Sequence, residues 1–485
     1  MSEGTVHPLA QPVGRMHAAG AFDWRAVPSA DPRASAFALD TAPALPAPAE
    51  EFSGEACREI VEDLLDRTRT GAAVAEVHAP FCESKCDGCG CRQHAYKELE
   101  SRRWADALVR EMAAWADTHA QAGAPIQALR FGGGTPSALE PVDILHVLAK
   151  ARQYLPLSND CSIELQARVH GFSEEKIEAA LAGGVTRFVL PVRSFSTEVR
   201  QAAGRLDAGE AAEKLLKRLT EYNESAVAVE LNFGLPGQSL EVWTADLERA
   251  CQLPLDGLII RAAGEPDILG EAAKTFRAAD PALMARMHER AFEVLADNGW
   301  ERRTALTWSR SERDRTTFDV LAEFAFGCGA HGRLFGRELL IEPELGKWLS
   351  AVWMGRRPVS SVSEPKSGWR AAALLAQGAL LGRFSLERIE HASGLRITES
   401  LEPLFDDWTA AGLLRRTGAL GTWIRLTDAG LYWHQALAAR MALRIDAAEL
   451  LELPHRLLGG RRFEAAAQII PADVWESAER AAALS

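Results

Sequence analysis

The chain has 485 residues, of which 47% are apolar and 25% are charged, and it carries a formal net charge of −13. This composition predicts a globular protein with about three domains of roughly 150 residues each. The acidic balance argues against a nucleic-acid or anionic-membrane surface, and the absence of a run of about 18 apolar residues argues against membrane insertion.

Residues 1–70 are predicted to form an N-terminal extension and linker. They lack the apolar segment of a signal peptide, and the stretch "ALPAPAEEF" is typical of an extended linker. We therefore expect a cytoplasmic protein, in which the cysteine thiols stay reduced.

A rhythm of strands and helices begins at about residue 72 and continues to about 263. Six strand-like segments alternate with helical stretches, which predicts a parallel sheet with helices outside it. Six units are too few for a closed barrel of eight, so we predict an α/β fold with a partial (β/α)6 barrel in a core over residues 71–335. The predicted strands are AAVAEVHAP, IQALRFGG, CSIELQA, TRFVLPV, AVAVELNFG and LDGLIIRAA.

The alternation of strands and helices ends before a predicted linker over residues 336–364, and the pattern after the linker is different. Two helical stretches precede "LRRTGALGTWIRLTDAGLYWHQAL", whose pattern predicts a strand, a turn, a second strand and a helix. This order indicates a winged-helix-like domain over residues 365–441, for which we favour a structural or lid role because the chain is acidic. A helical tail is predicted over residues 442–485.

Four of the eight cysteines share one short segment after the first predicted strand: Cys82, Cys86, Cys89 and Cys91. Disulfides are disfavoured in the cytosol and would be strained at these separations. Zinc sites usually take a second, distant pair of ligands, and although His78 or His94 could complete such a site, their spacing fits no common zinc finger. Ligation of an iron–sulfur cluster fits better.

The C-x3-C-x2-C part of this segment resembles the motif of the radical S-adenosylmethionine (SAM) superfamily. The resemblance implies that Cys82, Cys86 and Cys89 hold three irons of a [4Fe–4S] cluster. The fourth iron then stays open for the amino and carboxylate groups of SAM, whose reductive cleavage gives a 5′-deoxyadenosyl radical.

A glycine-rich turn, "RFGGGTPSAL", follows the second predicted strand. Gly132 and Gly134 match the start of a dinucleotide-binding fingerprint, but the third glycine is missing and Pro136 occupies the turn. Three consecutive glycines let the backbone approach a ligand closely. The turn resembles the segment with which radical SAM enzymes bind the methionyl amino group.

Within the superfamily, the chain resembles the family of the oxygen-independent coproporphyrinogen III oxidase, the related haem chaperones and the anaerobic haem-degrading methyltransferases. The resemblance covers residues 72–440 and rests on EVHAPFC, GGGTPS, PVRSF, ELNFGLPGQ, FGCGAHG and LTDAGLYW. RQHAYKELE and YLPLSNDCSIELQARVHGF are most similar to the anaerobic haem-utilisation branch. Cys91 favours the coproporphyrinogen oxidase instead, because a fourth cysteine in C-x2-C-x-C is typical of that enzyme.

The resemblance also implies the residues that bind the cofactors or carry the chemistry. One or two SAM molecules are implied, together with haem or a related tetrapyrrole and an electron donor such as flavodoxin or ferredoxin. The candidate catalytic residues are Cys91, Arg193 and Glu230. The candidate cofactor-binding residues are Glu76, His78, Phe81, Gly132, Gly133, Gly134, Thr135, Glu164, Arg193, Arg205, Glu230, Gly327 and Gly329.

Three of these positions depart from the family's pattern. Glu76 stands in place of a tyrosine, Arg193 in place of a glutamine, and Glu230 in place of an aspartate. A guanidinium at position 193 should repel the sulfonium of SAM unless Glu76 or Glu230 neutralises it. We therefore expect either a compensated set of three charges or a site that no longer cleaves SAM.

Three functions stay open. The leading hypothesis is anaerobic opening of the haem ring with release of iron: the radical takes a hydrogen from the methyl group of a second SAM, and the methylene radical adds to the porphyrin. Cys91 favours the alternative, decarboxylation of coproporphyrinogen III. The three altered positions favour a haem-binding chaperone that keeps its cluster without turnover.

Overall fold

The computed structural model describes residues 49–83, 94–263, 280–315, 322–418 and 421–446, and the structural statements below refer to these residues. The strands are β1 (Glu50–Ser53), β2 (Ala73–Ala79), β3 (Phe81–Cys82), β4 (His94–Ala95), β5 (Ile126–Gly133), β6 (Leu157–Gln166), β7 (Arg187–Arg193), β8 (Ala226–Phe233), β9 (Gly257–Ala262), β10 (Glu301–Arg302), β11 (Thr307–Ser309), β12 (Glu323–Phe326), β13 (His331–Leu334), β14 (Arg337–Ile341), β15 (Val359–Glu364), β16 (Arg383–Ser385), β17 (Leu414–Thr417) and β18 (Trp423–Leu426).

The helices of the same residues are α1 (Gly54–Asp66), α2 (Glu98–Ala116), α3 (His119–Ala122), α4 (Pro141–Tyr154), α5 (Glu174–Ala182), α6 (Thr197–Ala202), α7 (Gly209–Tyr222), α8 (Leu240–Gln252), α9 (Pro281–Asp297), α10 (Leu345–Trp353), α11 (Trp369–Leu381), α12 (Leu386–Ser393), α13 (Thr398–Ala410), α14 (Asp428–Tyr432) and α15 (His434–Asp446). None of them combines the length and the apolar character needed to cross a bilayer.

Six parallel strands form the centre of a large mixed sheet. The strand order of the whole sheet, within the described ranges, is β1-β15-β14-β13-β12-β2-β5-β6-β7-β8-β9-β11-β10. The strands β2 and β5 to β9 are neighbours in chain order, and each crossover between them contains at least one helix. This confirms the predicted α/β fold with six strand–helix units. Among the described strands, β1 and β10 form the two edges of the sheet and do not pair with each other, which is consistent with a partial barrel.

The two faces of the parallel strands differ in chemistry because side chains alternate along a strand. In β8, Val227, Val229 and Leu231 belong to the main apolar core with the surrounding helices. The intervening positions, Glu230 and Asn232, therefore lie on the opposite, inner face of the curved sheet. Polar residues recur at these inner positions, which makes the inside of the partial barrel the place for a site.

The segment between the two predicted domains contributes to the main sheet as well as connecting the domains. Within residues 336–364, β14 and β15 pair with each other, and β15 also pairs with β1 from the N-terminal segment. Leu339 and Ile341 of β14 are buried in the main core. Buried and half-buried positions alternate over the last four residues of "RELLI", as expected for a strand with one face buried in the core.

The C-terminal part of the chain has a core of its own. Helices α11 to α13 pack with a three-stranded antiparallel sheet of order β16-β18-β17, in which β17 and β18 form a hairpin. This confirms the winged-helix-like module. Helix α15 continues to Asp446, and the rest of the predicted tail lies outside the described residues, as do residues 1–48.

Candidate functional site

The first cysteine of the predicted cluster motif lies at the carboxyl end of β2. Cys82 is buried in β3, where it pairs in register with Ala95 of β4. The two ends of the intervening segment are therefore held side by side. Cys86, Cys89 and Cys91 belong to residues 84–93, which lie outside the described residues. The described residues on either side of these three thiols thus lie together at the carboxyl end of β2, and we call the segment between them the cysteine loop.

The thiol of Cys82 is close to a hydroxyl group. Its Sγ lies 3.0 Å from Oγ1 of Thr135, and both side chains are buried. A thiolate bound to iron only accepts hydrogen bonds, so the hydroxyl of Thr135 would donate to the sulfur in the cluster-bound state. A buried cysteine beside a hydroxyl donor fits thiolate ligation of a cluster.

The glycine-rich turn after β5 passes directly over β2. Gly133 has a φ of 96°, and a Cβ at this position would lie 2.6 Å from the imidazole ring of His78. A Cβ on Gly132 would lie 3.1 Å from the side chain of Gln166 on β6. Gly133 is therefore required for the close approach of this turn to His78, whereas a side chain at Gly132 would have to displace the end of Gln166.

The last glycine of the turn contacts the segment that leads to Cys82. The N–H of Gly134 donates to the carbonyl of Ala79 at 2.7 Å, and a Cβ on Gly134 would lie 2.8 Å from the carbonyl oxygens of Ala79 and Phe81. The ring of Phe81 is fully buried and packs edge-on against Trp104, with the ring centroids 5.9 Å apart. Phe81 therefore contacts the turn through its backbone, while its ring packs in the core.

A second glycine turn, after β12, contacts β2 as well. Gly327 has a φ of 94°, and a Cβ on it would lie 2.5 Å from the carbonyl oxygen of His78. Gly329 also has a positive φ, of 80°. His78 therefore contacts both glycine turns, one through its ring and the other through its backbone.

A row of charged side chains crosses the inner face of the parallel strands. Glu76, Arg130, Glu164 and Arg187 are in-register neighbours on β2, β5, β6 and β7. Arg187 is buried, and its Nη1 donates to Oε2 of Glu164 at 2.5 Å while its Nε donates to Oδ1 of Asp314 at 2.6 Å. One of the candidate SAM-binding carboxylates, Glu164, is thus paired with an arginine of the next strand.

Glu76 has an unusual acidity. Burial, and to a smaller extent the carboxylates of Glu323 and Glu164, raise its pKa to about 7, while the guanidinium of Arg130 acts in the opposite direction. Each of these neighbours lies on a strand of the same inner face. The charge of Glu76 therefore changes near neutral pH.

Arg193 and Glu230 form an ion pair nearer the carboxyl ends of the strands. Nη1 of Arg193 lies 2.8 Å from Oε1 of Glu230 and 2.8 Å from Oδ1 of Asn232, and the backbone of Arg193 has a φ of 76°. The structure brings Arg193 and Glu230 together, whereas the charges acting on Glu76 come from other residues. The two altered positions on β7 and β8 compensate each other without the third.

Arg205, a candidate cofactor-binding residue, does not lie on a strand of the sheet. It follows α6, is buried, and its N–H donates to the carbonyl of Arg200 at 2.9 Å. It lies in the loop between α6 and α7, beyond the carboxyl end of β7.

Sequence analysis missed several charged neighbours of the candidate site. The inner strand positions are occupied by Arg130, Arg187 and Glu323. Charged residues recur at alternate positions of these buried strands, and this pattern could have predicted that the three side chains lie on the inner face. Asp314 follows β11 and carried no such signal, because it meets Arg187 only in the folded chain.

Comparison with known proteins identifies relatives from the same superfamily. Residues 77–250 match the radical SAM superfamily. The anaerobilin synthase of Escherichia coli O157:H7 is 33% identical over 370 residues, which cover 74% of this chain and 81% of that protein. The heme chaperone HemW of Escherichia coli K12 is 26% identical over 53% of this chain and 69% of that protein.

A solved structure extends the likeness to almost the whole fold. The coproporphyrinogen III oxidase HemN of Escherichia coli superposes with a TM-score of 0.69, covering 84% of this chain and 97% of that protein at 20% identity. At this identity the likeness supports the fold alone.

Proposed function

This chain belongs to the radical SAM family that includes anaerobilin synthase and the oxygen-independent coproporphyrinogen III oxidases, and we propose that it opens the haem ring anaerobically by radical methyl transfer, releasing iron. The family uses a [4Fe–4S] cluster and SAM. The observation that carries the choice among the family's activities is the similarity to anaerobilin synthase, which is higher and more extensive than that to the chaperone.

The geometry around β2 supports a cluster and a SAM site at one end of the sheet. Cys82, together with Cys86 and Cys89, would hold the cluster at the cysteine loop. Thr135 would donate a hydrogen bond to the thiolate of Cys82. When bound, the cluster and SAM supply an organic radical that abstracts hydrogen. The two glycine turns pack directly against His78, one on its ring and one on its backbone, which brings their backbone groups to the same end of the sheet as Cys82.

The inner charges support the binding of a cation. The Arg193–Glu230 pair is neutral as a unit, so the guanidinium does not face the sulfonium uncompensated. Glu76 then remains as a carboxyl whose ionised form attracts a cation. This arrangement favours an enzyme over a chaperone with a decayed SAM site.

The substrate and the reductant belong to the same proposal. A tetrapyrrole substrate is supported by the haem or porphyrin named for the relatives, and haem is favoured by the likeness to anaerobilin synthase. A small electron donor such as flavodoxin or ferredoxin would reduce the cluster. Decarboxylation of coproporphyrinogen III remains the second candidate, which Cys91 favours.

One experiment separates the three functions. Reconstituted protein is incubated anaerobically with SAM, a reductant and either haem or coproporphyrinogen III, and the products are read by mass spectrometry. We expect haem-dependent formation of 5′-deoxyadenosine and S-adenosylhomocysteine together with a methylated open tetrapyrrole, and none of these from Cys82→Ala. Decarboxylated porphyrinogen would establish the second candidate, and bound haem with unconsumed SAM would establish the chaperone.

A further inference from the structure

A carboxyl group outside the candidate site is completely enclosed by the apolar core. Glu111 lies on α2 and is 1% exposed, beside Met112 and close to Trp115 on the same buried side of the helix. Burial raises its pKa to about 8, against the backbone N–H of Gly327 and the side chain of Trp348, which lower it. A buried acid in such surroundings is costly and is retained only where a specific partner compensates it.

The partner of Glu111 is one of the two glycine turns beside His78. The N–H of Gly327 donates to Oε2 of Glu111 at 2.8 Å, across 216 residues of sequence. The carbonyl of Gly327 accepts from the N–H of Ala330 at 3.1 Å, and the N–H of Gly329 donates to Glu342 at 3.1 Å. The acceptor for the N–H of Gly327 is therefore a side chain, while the carbonyl of Gly327 and the N–H of Gly329 bond to backbone.

Helix α2, which carries Glu111, also connects to the cysteine loop. Helix α2 begins at Glu98, directly after β4 at the base of that loop. It packs on β12 through Trp115, whose ring contacts those of Phe324 and Phe326 with centroids 6.4 and 5.8 Å apart. One rigid element thus joins the loop that carries the thiols to the turn that contacts β2.

We propose that Glu111 is a positioning residue, whose carboxyl holds the Gly327 turn against His78 and thereby shapes the SAM site. The part that concerns SAM rests on the proposed function. A Cβ on Gly327 would lie 2.5 Å from the carbonyl oxygen of His78, so the turn has no free space on that side. Without an acceptor on α2, the buried N–H of Gly327 is left unpaired, and the turn moves to regain a partner.

The test compares Glu111→Met, which removes the acceptor, with Glu111→Gln, which keeps one. Hydrogen exchange is measured by mass spectrometry on peptides that contain Gly327, and SAM affinity by equilibrium dialysis on the cluster-loaded protein. In Glu111→Met we expect at least tenfold faster exchange at the turn and at least fivefold weaker SAM binding, at unchanged iron content. Glu111→Gln should stay within twofold of the wild type in both measurements.

A control separates positioning from a general loss of stability. Val147→Ala truncates a buried side chain of α4 that is distant in sequence from the turn, and it should lower stability without changing either measurement. Wild-type SAM affinity in Glu111→Met would overturn the proposal. If Glu111→Met does not fold, Glu111→Asp decides instead, because its shorter side chain withdraws the acceptor, and unchanged SAM affinity there would be equally fatal.

Failure of the proposed function has a different outcome. If the wild-type protein binds no SAM, the function is wrong, and the exchange rate alone tests the role of Glu111. Equal exchange at Gly327 in Glu111→Met and in the wild type then refutes the positioning role.

Discussion

At the scale of single residues, Glu76 is the inner-face group whose charge responds to pH near neutrality. Its pKa of about 7 results first from burial and then from the carboxylate of Glu323. Because deprotonation creates the negative charge, the electrostatic attraction for a sulfonium grows as the pH rises through 7. The position that departs from the family's tyrosine therefore predicts a pH-dependent affinity.

The first prediction concerns Glu76→Gln. In the wild type, the dissociation constant of SAM should fall between pH 6 and 8 by roughly fivefold, which corresponds to about 1 kcal/mol of charge interaction. The variant does not titrate and should show a smaller change over this range, with weaker binding at pH 8. Equilibrium dialysis at several pH values measures this, and parallel pH profiles of the two proteins would contradict it.

The second prediction concerns the hydroxyl beside Cys82. Thr135→Val removes the hydrogen bond to the sulfur, while Thr135→Ser keeps it. A hydrogen bond to a ligating sulfur stabilises the more negative, reduced cluster. We therefore expect a more negative reduction potential in the valine variant at unchanged iron content, and a potential close to the wild type in the serine variant. A redox titration followed by electron paramagnetic resonance decides, and equal potentials in the wild type and Thr135→Val would exclude Cys82 as a hydrogen-bonded ligand.

At the scale of elements, the turn after β5 is held by backbone contacts that side chains would block. Gly134 lies against the carbonyl oxygens of Ala79 and Phe81, just before the first cysteine. The turn and the base of the cysteine loop therefore move together, and a change in one displaces the other.

The third prediction tests this coupling with Gly134→Ala. The added Cβ would lie 2.8 Å from two backbone oxygens, so the turn has to shift, at a cost of about 2 kcal/mol in the free energy of unfolding. We expect weaker SAM binding and slower reconstitution of the cluster. Gly71→Ala is the matched control, because a Cβ there meets nothing within 4 Å. Equal behaviour of the two variants would show that the turn tolerates a side chain.

At the scale of the whole molecule, an aromatic cluster joins the partial barrel to the C-terminal module. Tyr432 of α14 contacts His288 of α9, with ring centroids 4.9 Å apart, and Phe233 at the end of β8, at 6.5 Å. His288 in turn contacts Phe292 at 4.6 Å. The module is therefore packed against the barrel near the carboxyl ends of its strands, on the side of the candidate site.

The fourth prediction is that Tyr432→Ala loosens this contact. Loss of a half-buried aromatic side chain should lower stability by about 2 kcal/mol and should let the C-terminal module unfold before the barrel. Limited proteolysis should then cut between the two at lower denaturant concentration than in the wild type. Tyr432→Phe keeps the ring contacts and is expected to resist cleavage, and similar proteolysis of the alanine variant and the wild type would contradict the prediction.

Much of the fold was predictable because it depends on patterns that are local in the sequence. Alternation of strands and helices indicated the six parallel strands, and the order of helices and hairpin indicated the C-terminal module. The strands of residues 336–364 were harder to predict, because β14 and β15 are short and gain their stability only from pairing with each other and with β1.

By itself, the sequence determined the family, the fold class and the cofactors, because cysteine spacing, glycine turns and hydrophobic periodicity are short-range properties of the chain. Only the tertiary structure decided which charges meet. Arg187 finds Asp314 across 127 residues, and Glu111 finds Gly327 across 216. Arg193 pairs with Glu230 of the next strand, while Glu76 is grouped with Arg130. Such pairings depend on strand register and on how distant segments pack, and a burial-induced pKa exists only once the chain has enclosed the group.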